Sequence, residues 1–301
     1  MAKPILLVGN GINNISNNVS WSQLLKDIID DLGVSVDKNT INSKPFPLLY
    51  EEIYIKSVQQ GDMKEYELKK TISDKVGIIV ANEIHERITS GIFSDILTTN
   101  YELTLEDCIS DGSKLPNLGI KRELKFSVFR HSNVNDINFW HIHGDMGRPA
   151  SILLGYEHYS GQLQMMREYV MHGHEKDHRF NPLDKRIGQD DYELLSWIDH
   201  FFTGRIHIVG LTLNFIETDL WWLITYRARK QHEKLRSGEA YEAFAEKLKA
   251  SEITYYYPAK YRESSKEKLQ LMESFDIKTV AIERPHDVSY YHEVLNRIEA
   301  S

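Results

Sequence analysis

The chain has 301 residues, 41% of them hydrophobic and 11% aromatic, enough to bury a sizeable core and to exclude wholesale disorder. Its 36 Lys and Arg stand against 44 Asp and Glu, and the net charge of −8 argues against a nucleic-acid binder held by phosphate neutralisation. The single cysteine, Cys108, excludes an internal disulfide and any structural zinc site built on four cysteines. The opening apolar run is too short for a signal peptide and no apolar stretch approaches ~20 residues, so a globular, cytoplasmic protein with no membrane segment is expected.

Short apolar runs alternate with helical patterns along the chain, with no repeat at a solenoid period. The first run, residues 4–8, ends in Gly9-Asn10-Gly11. Ser20 then opens a helix, with Gln23 completing a capping box and Trp21, Leu24, Leu25, Ile28, Ile29 and Leu32 on one face until Gly33 stops it. Residues 35–90 carry a loop at 42–47 and a charged helical pattern without a strand, which predicts a helical insertion. Strands are predicted at 95–99, 124–130 and 137–142, the first running into Asn100-Tyr101 and the last into His143-Gly144-Asp145. A second insertion, helix followed by loop, is predicted at 157–191. The pattern then predicts a helix closing at 197–202, a strand at 205–210, a helix at 217–230, strand–helix units at 253–257 and 277–282, and a last helix near Ile298. This order predicts one α/β domain over residues 1–301, a Rossmann-like, doubly wound and mainly parallel sheet with helical insertions.

In open α/β sheets, ligands bind outside the carboxyl ends of the strands, so polar residues at those ends carry functional weight. Four such ends stand out. Gly9-Asn10-Gly11-Ile12-Asn13-Asn14 offers backbone and carboxamide donors to a phosphate, although a tight turn also needs glycine for steric reasons alone. Asn100, after Thr98-Thr99, can fix a ribose hydroxyl or a water, or can cap the helical pattern that follows. His143 has the chemistry of a general base, with Gly144 allowing close approach; a core histidine bonded to backbone is the alternative. Gly210-Leu211-Thr212-Leu213-Asn214 ends a later strand. Alternation places His141 on the face of His143 but a layer deeper, where it serves stability more than rate.

Other features have plainer readings. His141-x-His143-x-Asp145 opens like a metallo-β-lactamase motif, but Met146 stands where that motif needs histidine. His172, His174, Asp177 and His178 form a histidine-rich loop rather than a metal site. Tyr255-Tyr256-Tyr257 reads as a strand with one core-facing side, Trp221 and Trp222 as core or subunit interface, and the basic run 227–236 as a solvated face.

The four turns, in this order, resemble those of the sirtuin-like family in its bacterial, non-deacylase branch, over residues 4–226. The wording His-Ile-His-Gly-Asp followed by Leu-Leu-Gly-Tyr-Glu-His-Tyr is similar to that branch, as is Gly-Asn-Gly-Ile-Asn with Ser-Trp opening the first helix. The resemblance implies that Gly9 and Gly11 meet the NAD pyrophosphate and that Asn100 meets the nicotinamide ribose. His143 with Gly144 would supply the general base, Gly210 and Thr212 would hold the adenosine half, and Asn10, Asn13, Thr99 and Asn214 on the same turns are further expected cofactor contacts. The deacylases' Gln-Asn-Ile-Asp turn reads Thr99-Asn100-Tyr101-Glu102 here, and their four-cysteine zinc module and Phe-Arg-Ser loop are absent. The resemblance therefore implies NAD hydrolysis without a metal, to nicotinamide and ADP-ribose or its cyclic form, rather than protein deacylation. It implies a homo-oligomeric effector of antiphage defence, with a HerA-type ATPase or another defence protein as partner. A catalytically silent NAD or ADP-ribose sensor is the alternative.

Overall fold

Why short apolar runs become the centre of this molecule is visible at Ile5-Leu6-Leu7-Val8, where all four residues are buried. A strand with both faces covered reads as a continuous apolar run, the signature of a parallel sheet between helical layers. The computed structural model describes residues 3–15, 21–61, 63–110, 112, 115–119, 125–175, 178–179, 181–233 and 239–301. In chain order the strands are β1 (Ile5–Val8), β2 (Asp95–Thr98), β3 (Ser132–Val134), β4 (Ile137–His141), β5 (His174–Glu175), β6 (His178–Arg179), β7 (Arg205–Val209), β8 (Glu252–Pro258) and β9 (Ile277–Ile282). β5 and β6 pair only with each other, and the rest form one sheet in the order β3-β4-β2-β1-β7-β8-β9. Every pairing in that sheet is parallel except β3 with β4. The Rossmann-like, doubly wound architecture is therefore present.

The helices follow as α1 (Trp21–Leu32), α2 (Phe46–Gln60), α3 (Glu65–Val76), α4 (Glu83–Ile88), α5 (Thr104–Asp107), α6 (Tyr156–Arg167), α7 (Leu183–Ile187), α8 (His200–Thr203), α9 (Thr218–His232), α10 (Glu239–Ala250), α11 (Lys266–Ser274) and α12 (Val288–Glu299). Strand alternation sorts them into two layers. Leu6, Val8 and Ile96 face a core shared with α4 and α12, through Ile84, Ile88, Tyr290 and Val294. Ile5, Leu7 and Leu97 face the opposite core, with Phe201 of α8, Leu223 of α9 and Leu248 of α10. A third core joins α1, α2 and α3 through Ile28, Ile53 and Ile72, and reaches the sheet at Tyr101, Ile152 and Leu154. Residues 35–90 hold helices and no strand among the described residues, but α4 packs under the sheet rather than with α2 and α3.

Two expectations need correction or fall away. The strand predicted at 124–130 is not formed over 125–130, because Ser127 Oγ accepts from the backbone N–H of Phe129 at 3.3 Å and Arg130 at 2.9 Å, which bends the chain. The edge strand is β3, joined to β4 through Asn135 and Asp136 at φ 49° and 63°, a two-residue hairpin turn of the kind that favours these residue types. Gly33 stops α1 at φ 61°, as its position predicts. Ser20 of the capping box, residue 124 and Asp177 lie outside the described residues, as do the side chains of Trp21, His174 and His178.

Candidate functional site

The strand order reverses about β1, which has β2 on one side and β7 on the other, and the crevice at such a reversal is where open α/β sheets take ligands. A cleft of about 500 Å³ opens there, lined among others by Asn10, Gly11, Asn14, Thr99, Asn100, Gly210, Thr212 and Asn214. Seven of the eleven residues anticipated from sequence are thus brought together. Gly9, Asn13, His143 and Gly144 do not line it.

The glycine turns are shaped by each other. Gly9 N–H donates to Val209 O at 3.1 Å and Gly11 N–H to Gly210 O at 2.8 Å, so both donors are spent on the neighbouring turn. A Cβ on Gly11 would stand 2.7 Å from Gly210 O, closer than real contacts allow. Gly144, at φ 89°, packs its open face on Ser151 backbone rather than on the cleft. Here glycine serves the close approach of one backbone to another.

Asn13 is a bracket. Its Nδ2 donates to Asn10 Oδ1 at 2.8 Å and to Glu102 Oε1 at 2.7 Å, and its Oδ1 accepts from His85 Nε2 at 2.9 Å. Burial pushes His85 down to about 4, so the ring is neutral; its Nδ1 accepts from Asn82 N–H, which leaves the proton on Nε2. The carboxamide is fully used inside the protein.

Asn100 is the opposite case. It is 2% exposed, and neither its Oδ1 nor its Nδ2 reaches a partner at full hydrogen-bond geometry, although the side chain lies close enough to Glu102 to favour that residue's carboxylate. The side chain caps nothing, since α5 starts four residues later with no side-chain cap. Its backbone, in contrast, is pinned on both sides. Asn100 N–H donates to Thr98 Oγ1 at 3.0 Å, and Asn100 O accepts from His141 Nδ1 at 2.8 Å. His141 Nε2 meets Glu106 Oε1 at 2.8 Å, so the ring is doubly engaged. Burial opposes its charge, but Glu106 outweighs that and raises His141 to about 9. A carboxamide with open hydrogen-bonding capacity on a fixed backbone, lining a cleft, can take a polar group there.

His143 is 2% exposed, with Nε2 3.0 Å from Asp219 Oδ2 at the start of α9. Burial disfavours the charged ring, but Asp219 beside it and Glu217 farther off raise its pKa above the usual value. The two histidines of His141-x-His143-x-Asp145 thus serve separate partners. Sequence reading missed Asp219, 76 residues from His143, and Glu217, which lines the cleft. An acid at a helix start is usually read as a partner of the helix dipole, so neither carried a signal of its own.

Beyond Thr212 the cleft is walled by Tyr255, Tyr257 and Lys268. Tyr255 and Tyr257 stack with centroids 6.2 Å apart, and Lys268 Nζ donates to Thr212 O at 2.6 Å. The tyrosines of β8 therefore serve both core and cleft. Trp221 and Trp222 are partly buried against the same core. The arrangement offers a deep carboxamide, an imidazole–carboxylate pair, a carboxylate at the cleft wall and an aromatic end able to stack a flat ring.

Fold and cleft together define a doubly wound α/β protein with a crevice at the sheet's reversal. Residues 94–182 match a family model described as a SIR2-like domain, a stretch that holds the Asn100 and His143 turns and less than a third of the chain. No curated protein matches the chain. Among the described residues no helix is long and apolar enough to cross a membrane.

Proposed function

We propose that this chain is an NAD glycohydrolase, which breaks the nicotinamide–ribose bond to release nicotinamide and ADP-ribose or its cyclic form. The observation that carries the reading is Asn100, buried at the cleft wall with neither side-chain polar atom in a full hydrogen bond, within a stretch similar to SIR2-like domains, which use NAD. The adenosine half lies toward Thr212 and the tyrosines of β8, and the pyrophosphate passes the facing turns at Asn10 and Gly210. Departure of nicotinamide leaves an oxocarbenium-like ribose. Asn100 orients the ribose or the attacking water. His143 gives Nε2 to Asp219, which leaves Nδ1 to draw density from a ribose hydroxyl, in the manner of a histidine held in one tautomer by a carboxylate.

The sequence resemblance supports a wider reading: a cytoplasmic, homo-oligomeric effector of antiphage defence, acting with a HerA-type ATPase or another defence protein and lacking lysine deacylase activity. The burial of His143, which does not line the cleft, favours one alternative, a silent sensor that binds NAD or ADP-ribose and regulates a partner. Purified protein incubated with NAD and followed by product chromatography separates the two. Nicotinamide release that disappears in Asn100→Ala is the expected result; ADP-ribose binding without any release establishes the sensor.

A further inference from the structure

Glu217 is an acid only partly engaged by the protein, the backbone of Asn214 being the hydrogen-bonding group that favours its carboxylate. It is the N-cap residue of α9, a position whose side chain ordinarily accepts a helix N–H, yet it makes no such bond. Its Oε2 is buried without a partner, and the residue lines the same cleft as Asn100. Its neighbours are otherwise committed: His143 and Asp219 pair with each other, and Lys268 donates to Thr212 O. Glu217 therefore brings the cleft a carboxylate with one oxygen unpartnered and no dedicated counter-ion, in the same lining as the Asn100 carboxamide. Burial pushes it up to about 7 against the pull of His143, which suits proton transfer near neutral pH.

We propose that Glu217 is a catalytic base of the reaction, its carboxylate accepting the proton of the water that attacks the ribose. The inference rests on the NAD reading above. The glycosidic electron pair leaves with the nicotinamide nitrogen, the water oxygen bonds to ribose C1′, and the water proton passes to Glu217 and on to solvent. In its ionised form the same carboxylate stabilises the positive charge that develops on the ribose. The groups acting electrostatically with Glu217 are His143 after β4, Asp219 of α9, Lys268 of α11, Tyr101 after β2, Tyr159 of α6 and Tyr255 of β8.

The test is nicotinamide release against pH for the full chain and for Glu217→Gln and Glu217→Asp, with melting and ADP-ribose binding on each. In the parent, kcat falls as pH drops through about 7, because a protonated carboxyl cannot accept a proton. Glu217→Gln loses ~10²–10⁴-fold in kcat together with that acid limb, and still binds ADP-ribose. Glu217→Asp recovers part of both. Parent-like kcat and pH profile in Glu217→Gln, with Asn100→Ala inactive, overturn the assignment and leave the NAD reading standing. A parent that releases no nicotinamide overturns both. If Glu217→Gln melts early, the parent profile decides with Glu217→Asp: a profile flat through neutral pH that Glu217→Asp leaves unchanged overturns the proposal.

Discussion

Asn100 and His141 show how one short turn divides its work between side chain and backbone. The carboxamide of Asn100 is left without a full hydrogen bond, whereas its carbonyl is held by an imidazole whose other nitrogen rests on Glu106. Loss of a preorganised hydrogen-bonding group where charge develops costs ~10²–10³-fold in rate. Asn100→Ala should lose nicotinamide release by that factor at a nearly unchanged melting temperature, because its side chain makes no full hydrogen bond within the protein. A parallel fall in stability would show a structural group instead. His141 makes a stability prediction with a definite sign. Its folded pKa, about 9, lies above the ordinary value of 6.5. Its stabilisation is therefore fully present below about 6.5 and lost as pH rises through about 9. The parent's melting temperature should decline across that window, and Glu106→Gln, which removes the charge that raises the ring, should flatten the decline. A parent whose melting temperature holds level to pH 10, well beyond the range of an ordinary histidine, would contradict the clasp.

At the scale of elements, strand ends meet one another before they meet a ligand. β1 and β7 are parallel neighbours, so their turns leave the sheet side by side and bond at Gly9–Val209 and Gly11–Gly210. The turn after β4 follows the same logic, with Leu153 N–H donating to His143 O at 2.9 Å. Gly144 sits inside that return at φ 89°, where an added Cβ would be 2.3 Å from Ser151 O. Gly144→Ala combines left-handed backbone strain with a backbone clash and should cost about 2–4 kcal/mol, read from urea midpoints. Gly91, at φ 99° with nothing within 4 Å of the added Cβ, is the matched control. Gly91→Ala carries the strain alone, on the order of 1–2 kcal/mol. Equal costs for the two would remove the clash from the account.

For the molecule as a whole, the third core is the departure from a plain two-layer sheet. Helices α1, α2 and α3 bury their own apolar faces and rest on Tyr101, Ile152 and Leu154, in the turns that carry Asn100 and His143. The same region leaves Leu48, Ile55 and Val58 of α2 exposed, with Ile78 and Val80 at 71% and 65% exposure in the segment after α3. Scattered apolar side chains are ordinary on a surface, but several on one layer suit contact with a second copy. Sedimentation at micromolar concentration should show particles larger than the 35.1 kDa chain, and Ile55→Asp with Ile78→Asp should shift them toward that mass. A single species at chain mass in the parent would remove the oligomer from the functional reading.

Local sequence alone determined the strands that bury both faces, the stop at Gly33 and the four polar strand ends, because each is set by burial pattern or by backbone permission within a few residues, and the alternation of strand and helix implied a mainly parallel sheet without fixing its strand order. It misplaced the edge strand: the run over 124–130 has strand composition, and a Ser127 turn overrides it while Asn135-Asp136 supplies the hairpin. Which strand-end residues face the cleft was decided only in three dimensions. Asn13 and Asn100 are the same residue type on similar turns, but Asn13 meets Glu102, 89 positions away, and is consumed. Asn100 makes no full hydrogen bond through its side chain. His143 is turned toward Asp219, and Glu217 enters the site because α9 begins there. A side chain's hydrogen-bond capacity is written in the sequence, whereas its leftover capacity depends on partners that folding brings from afar.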